Sequence, residues 1–173
     1  MDDRITDPEW DILPPPYGDD VKDHATHVAG IMIGDGTRNS NYKGMATKSS
    51  IVAYESDYGS TSSYNNTNQI EPEYSEAINI YCADLASNSW GIESIPSNCP
   101  KFGDYTIVSE LLDKFVTGSV VSKRFPIVWA NGNERSDVTG CTHEYNTTLP
   151  KASSKNVIGV GAINSNDKSM TTF

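Results

Sequence analysis

Cysteine is scarce in this chain, and what there is carries no metal signature. Cys82, Cys99 and Cys141 are the only three in 173 residues, an odd number without Cys-x-x-Cys spacing. Neither a disulfide framework nor a zinc knuckle is indicated, although one disulfide remains open. Long apolar runs are missing as well, since no window approaches the ~18 residues of a membrane span. The opening stretch MDDRITDPEW has neither a basic nor an apolar leader region, so any export signal would lie outside this chain. Positive charge is in deficit: 13 Lys and Arg face 23 Asp and Glu, a formal net charge of -10. Such a balance repels phosphate backbones and anionic lipid, which excludes nucleic acid and membrane as expected partners. The remaining composition, 36% hydrophobic and 21% charged, is that of a soluble globular protein with length for one domain. Two sequons, Asn65-Asn66-Thr67 and Asn146-Thr147-Thr148, would matter only in a eukaryotic secretory pathway.

Residues 1–22 hold Pro14-Pro15-Pro16 and no sustained apolar period, and read as an irregular, largely exposed segment. From His24 the pattern changes. Val28, Ile31 and Met32 recur at helical spacing until Gly34-Asp35-Gly36, which predicts a short helix with Asp23 as its N-cap. SSIVAYES (49–56) suits a buried strand, and a Ser/Tyr/Asn/Gly-rich loop follows at 57–69. EPEYSEAINIYCADL predicts a helix starting near Pro72, with Tyr74, Ala77, Ile78 and Tyr81 on one face. ADLASNSWG (83–91), PIVWANGNE (126–134) and KNVIGVGAI (155–163) read as strands, and DYTIVSELLDKFVTG (104–118) as an amphipathic helix with a glycine stop. Strands alternating with helices across long connections predict an α/β domain with a parallel sheet. Functional groups in such sheets gather beyond the carboxyl ends of the strands. Those ends are Ser89-Trp90-Gly91 and Gly132-Asn133-Glu134, both rich in small and polar residues.

The stretch DHATHVAG (23–30) places two of the three histidines three residues apart. A zinc clamp on one helix favours a four-residue separation with a glutamate between, and neither is present. Nothing in the spacing asks His143 and Cys141 to complete a metal set, so no metal site is expected. Both histidines could instead be polar residues at a helix start. A catalytic base needs a fixed place and close approach to its partner, and Ala25, Thr26, Ala29 and Gly30 leave clearance around His24. ANGNE (130–134) has the character of an oxyanion site, with Asn133 on a turn beside glycine. A plain turn asparagine reads equally well from those residues alone.

Taken together these motifs resemble the subtilisin-like serine proteases. DHATHVAG is similar to that family's catalytic-histidine motif, commonly Gly-His-Gly-Thr-His-Val-Ala-Gly. SNSWG resembles its substrate-binding strand, ANGNE its oxyanion-asparagine motif, KNVIGVGAINSND the strand that follows, and YKGMA its GVAP segment. The order is that of the family, over most of residues 22–173. The resemblance implies a three-layer α/β fold, with a mostly parallel sheet and helices on both faces, and peptide-bond hydrolysis as the activity. It implies His24 as general base, His27 as structural and Asn133 as oxyanion donor. Ser89, Trp90 and Gly91 would pair with an extended peptide, and Ala130, Asn131 and Gly132 would line the first specificity pocket. Trp90 reads either as a wall for apolar peptide side chains or as core packing.

The departures are as informative. A triad of this type runs Asp, His, Ser, yet no Asp-Thr/Ser-Gly motif precedes His24. Asp2 and Asp3 are followed by Arg4-Ile5, and Asp11, Asp19, Asp20 and Asp23 fall in the irregular stretch. The nucleophile motif Gly-Thr-Ser-Met-Ala is absent. The expectation is therefore residues 23–173 as the central part of a peptidase domain, incomplete at both ends and inactive alone. Its partners would be a peptide or protein substrate and the remainder of the protease domain. Family resemblance places it outside the cell or at the cell envelope. No cofactor is expected: structural calcium is common in the family, but GDGTRNSNYKG (34–44) lacks the acidic ligands of a dedicated loop. Cys99 and Cys141 both follow strand ends on the expected active face and could pair. Two other readings stand beside this one: a non-catalytic peptide-binding relative or one part of a split protease, and an α/β ligand- or zinc-binding domain.

Overall fold

Parallel strands cannot be joined by tight hairpins, so short β-branched runs separated by helical periods build crossovers. The computed structural model follows that rule. It describes residues 3–8, 19–54, 67–92, 98–133 and 147–171, with 19–22 by backbone alone. The chain divides into two units, Met1–Ser63 and Tyr64–Phe173.

In the first unit the elements are strand β1 (Ile5–Thr6), helix α1 (Asp19–Ile33), a 3-10 turn at Ser40–Tyr42 and strand β2 (Ile51–Val52). β1 and β2 pair in parallel, Ile5 opposite Ile51 and Thr6 opposite Val52. The ladder continues through Ile51 N–H to the Arg4 carbonyl and Ala53 N–H to the Thr6 carbonyl, each at 2.8 Å. Residues 1–22 are thus not irregular throughout. A two-residue strand has no period to read and exists because β2 supplies its hydrogen bonds.

The helix also starts earlier than its apolar spacing indicates, at Asp19. The sequence around Asp19, Asp20 and Asp23 carries no apolar period, so the earlier start has no repeating signal. Asp23 consequently lies inside α1 rather than at its N-cap, and His24 is in the second turn rather than the first. At the other end the Arg4 guanidinium donates to the carbonyls of Ile33 and Thr47, both at 2.9 Å. A cation there complements the negative end of the dipole. The amides of Gly44, Met45 and Ala46 reach the carbonyls of Gly34, Ile31 and Met32 at 2.8, 3.0 and 2.8 Å, satisfying groups a helix end leaves open. That approach requires glycine at 44, where a Cβ would lie 2.6 Å from Gly34 N and 2.8 Å from Gly30 O.

The second unit holds helix α2 (Thr67–Asn79), strand β3 (Ala86–Asn88), a 3-10 turn at Cys99–Lys101, helix α3 (Ile107–Thr117), and strands β4 (Ile127–Ala130) and β5 (Ile158–Val160). The three strands form one parallel sheet in the order β3-β4-β5. In register, Ala86 faces Ile127 and Asn88 faces Trp129; Val128 faces Ile158 and Ala130 faces Val160. The parallel α/β architecture expected from the alternating pattern is therefore present.

Helix α3 is the clearest case of sequence dictating structure. Val108, Leu111, Leu112 and Phe115 recur at helical spacing and are all buried. Thr106 caps the start: its Oγ1 accepts from Ser109 N at 3.3 Å, while Ser109 Oγ accepts from Thr106 N at 3.1 Å, a reciprocal capping box. Gly118 closes the helix in the left-handed region at φ +79°, as C-terminal glycines do. The buried face packs with Ile70 and Ile78 of α2, with Phe102, Phe125, Ile127, Trp129 and Leu149, into one core. Helix α2 begins five residues before Pro72, which sits in its interior with its ring on the exposed side. Tyr81 lies beyond the helix end and is exposed, so the buried positions of α2 are Ile70 and Ile78.

Asp113, buried on α3, accepts from the amides of Lys155 at 3.1 Å and Asn156 at 2.7 Å and from the Tyr105 hydroxyl at 2.8 Å. One carboxylate so pins the turn that leads into β5.

Candidate active site

Parallel pairing decides where the polar strand ends go. With β3 and β4 running the same way and Asn88 opposite Trp129, the chain leaves both strands at the same edge of the sheet. Ser89-Trp90-Gly91 therefore emerges beside Ala130-Asn131-Gly132-Asn133. This is the carboxyl edge, where α/β sheets place their functional groups.

Each segment is anchored from the core. The Asn88 side chain accepts from the Tyr74 hydroxyl at 3.0 Å and donates to the Val128 carbonyl at 3.2 Å, tying α2, β3 and β4 just before residue 89. Burial pushes the Tyr74 phenol above its ordinary range, so it stays a neutral donor. Two residues on, the carbonyl of Trp90 accepts from the indole N–H of Trp129 at 2.9 Å. Trp129 is fully buried, and the two indole rings lie 5.1 Å apart at 57°. Ser89 and Gly91 are exposed, while Trp90 is half-buried. Its ring packs against the core cluster, so the contacts it makes are those of packing.

The β4 side is built by backbone bonds. Asn131 N–H donates to Val160 O at 2.9 Å, and Asn131 O accepts from Leu149 N at 2.8 Å. Its main chain is thus used by the fold, and its side chain lies over Gly159, where a Cβ would be 2.5 Å from Asn131 Oδ1. Gly132 has φ +111°, a region closed to most side chains, and turns the chain so that Asn133 is exposed.

Where Gly91 and Ile92 meet Trp129 and residues 149–151 lies a small cavity of about 10 Å³, lined by Gly91, Ile92, Trp129, Leu149, Pro150 and Lys151. That is room for about one water. Lys151 is only 4% exposed, with its Nζ 3.9 Å from the Trp90 ring centroid and 5.6 Å from that of Trp129. Burial pulls its ammonium down to about 8. Sequence reasoning missed this residue, because a single lysine between Pro150 and Ala152 looks like any surface charge.

His24 belongs to the first unit, on α1, and both it and His27 are exposed. Among the described residues no group of three or more His, Cys, Asp or Glu could hold a metal ion. His143 and Glu134 lie outside the described residues. Cys99 is disulfide-bonded and Cys82 is free and exposed; Cys141, named with Cys99 as a candidate pair, also lies outside them. No described helix is long and apolar enough to cross a membrane.

A family model described as the Subtilase family, Peptidase_S8, matches residues 2–173. The match takes in the first 22 residues together with the motif-bearing remainder. No curated protein and no solved structure matches the chain. With nearly every residue matched and with parallel α/β sheets, the chain belongs to the subtilase family.

Proposed function

We propose that the chain carries the general base and the substrate-binding edge of a subtilisin-like serine endopeptidase. In this reading His24 takes the proton of a nucleophilic hydroxyl, and Asn133 donates its side-chain amide to the oxyanion of the tetrahedral intermediate. Ser89-Trp90-Gly91 receives an extended peptide, and Ala130, Asn131 and Gly132 line the pocket for its leading side chain. The observation that carries the proposal is the emergence of residues 89–91 and 130–133 side by side at the carboxyl edge of one parallel sheet, in a chain matched to the subtilase family.

No residue of the chain stands in a Gly-Thr-Ser-Met-Ala motif. Without an activated serine no acyl-enzyme forms, so the isolated polypeptide binds peptides without cleaving them. The disulfide at Cys99 supports placement in an oxidising compartment outside the cytosol. The test is direct. Purified chain is incubated with casein and with a serine-directed fluorophosphonate, and neither new peptides nor covalent labelling is expected. Cleavage that the phosphonate blocks would overturn the proposed inactivity.

A further inference from the structure

The cavity beside Gly91 is too small for a substrate side chain, yet one of its walls is a charged group that the proposed chemistry does not use. Lys151 is buried, and a buried ammonium is costly unless something stabilises it. Two indole faces contribute to that stabilisation, the Trp90 ring 3.9 Å from Nζ and the Trp129 ring at 5.6 Å. Trp90 is in turn held through its own carbonyl by the Trp129 indole N–H. Two side chains from two other segments, Trp129 and Lys151, thus converge on Trp90, the middle residue of 89–91.

We infer that Lys151 is a positioning residue for peptide binding, its ammonium clamping the Trp90 ring onto Trp129 and so presetting Ser89-Trp90-Gly91 at the end of β3. The inference rests on the reading of residues 89–91 as the peptide-binding segment. Physically, a cation over an indole face is held more strongly in a desolvated place than at an exposed site. Without it the Trp90 ring loses its outer support, and the segment it anchors samples other courses before a peptide can pair with it. The other cavity residues, Gly91, Ile92, Trp129, Leu149 and Pro150, carry no titratable side chain. Lys151 therefore supplies the charge on this wall. Lys151 itself does not contact substrate, because only 4% of it is exposed.

The experiment uses the full chain as wild type, Lys151→Met and Lys151→Arg. A fluorescein-labelled, capped apolar peptide without titratable groups is titrated by anisotropy at neutral pH, with far-UV circular dichroism as the check on folding. Lys151→Met is expected to weaken binding about tenfold, whereas Lys151→Arg, which keeps a cation able to stack on the ring, stays within about threefold. A folded Lys151→Met that binds like the wild type overturns the inference and leaves the peptide-binding reading intact. Wild type that binds no extended peptide overturns both. Should Lys151→Met not fold, a pH series on the wild type decides: affinity is expected to fall as pH rises through about 8, and constant affinity across that range overturns the inference.

Discussion

Replacing Gly159 by alanine tests whether Asn131, which follows β4 at the candidate site, packs over β5 as described. A Cβ at 159 would stand 2.5 Å from Asn131 Oδ1, 3.4 Å from Ala152 O and 3.6 Å from Asn131 Cγ. Ordinary carbon–oxygen contact needs more than ~3 Å, so the Asn131 amide must swing away or β5 must shift. The Asn131 main chain is held, its N–H bound to Val160 and its carbonyl to Leu149, so the adjustment falls on its side chain or on β5. Overpacking of this kind costs about 1–3 kcal/mol. Urea denaturation should show that loss with an unchanged slope. The cause can be isolated by a double-mutant cycle: in an Asn131→Ala background the atoms in the way are gone, and the cost of Gly159→Ala should shrink by at least about 1 kcal/mol. An equal cost in both backgrounds would refute the placement of the Asn131 side chain over Gly159.

Two further perturbations follow. Asp113→Ala removes the acceptor of two backbone amides and the Tyr105 hydroxyl, and should cost about 2–4 kcal/mol in urea denaturation; a loss below about 1 kcal/mol would contradict the pinning of the β5 entry. Lys151 gives a pH signature of definite sign. Its folded value is lowered from 10.5 to about 8, so between those values the unfolded chain holds a proton that the folded chain has released, and stability must rise with pH through that window. The full shift corresponds to about 3 kcal/mol, of which the indole faces offset up to about 2. Relative to Lys151→Met, wild type is therefore expected to gain roughly 1–3 kcal/mol across that window, the raised Tyr74 and Tyr105 phenols acting alike in both proteins. Stability and peptide affinity should thus move in opposite directions above neutral pH.

The parts of the fold that were legible in sequence are those with repeating local signals. Helix α3 announces itself through Val108, Leu111, Leu112 and Phe115, with Thr106 and Gly118 as punctuation, and the strand runs ended where the small polar residues begin. What escaped was non-local. β1 is two residues long and is defined by its partner β2, which no window around Ile5 contains. The start of α1 at Asp19 lies ahead of the first apolar residues of its helical period. Of the candidate site, the juxtaposition of residues 89–91 with 130–133 followed from parallel pairing of two recognisable strands. The inward course of the Trp90 ring did not, because it depends on Trp129 and Lys151, which are distant from it in sequence. Lys151 illustrates the point most plainly, as its burial is produced entirely by tertiary neighbours.

The coexistence of a bonded Cys99 with a free, exposed Cys82 has a consequence for handling the protein. Cys82 sits at φ +56° between α2 and β3, at the opposite end of β3 from residues 89–91, so a probe attached to its sulfur would report on the unit without obstructing that edge. The same thiol is a resident reagent for exchange. Once the chain unfolds, its thiolate can attack the disulfide and trap a mispaired form. Refolding yield should therefore depend on alkalinity and on thiol blocking as much as on temperature, and Cys82→Ser should refold more cleanly than the wild type.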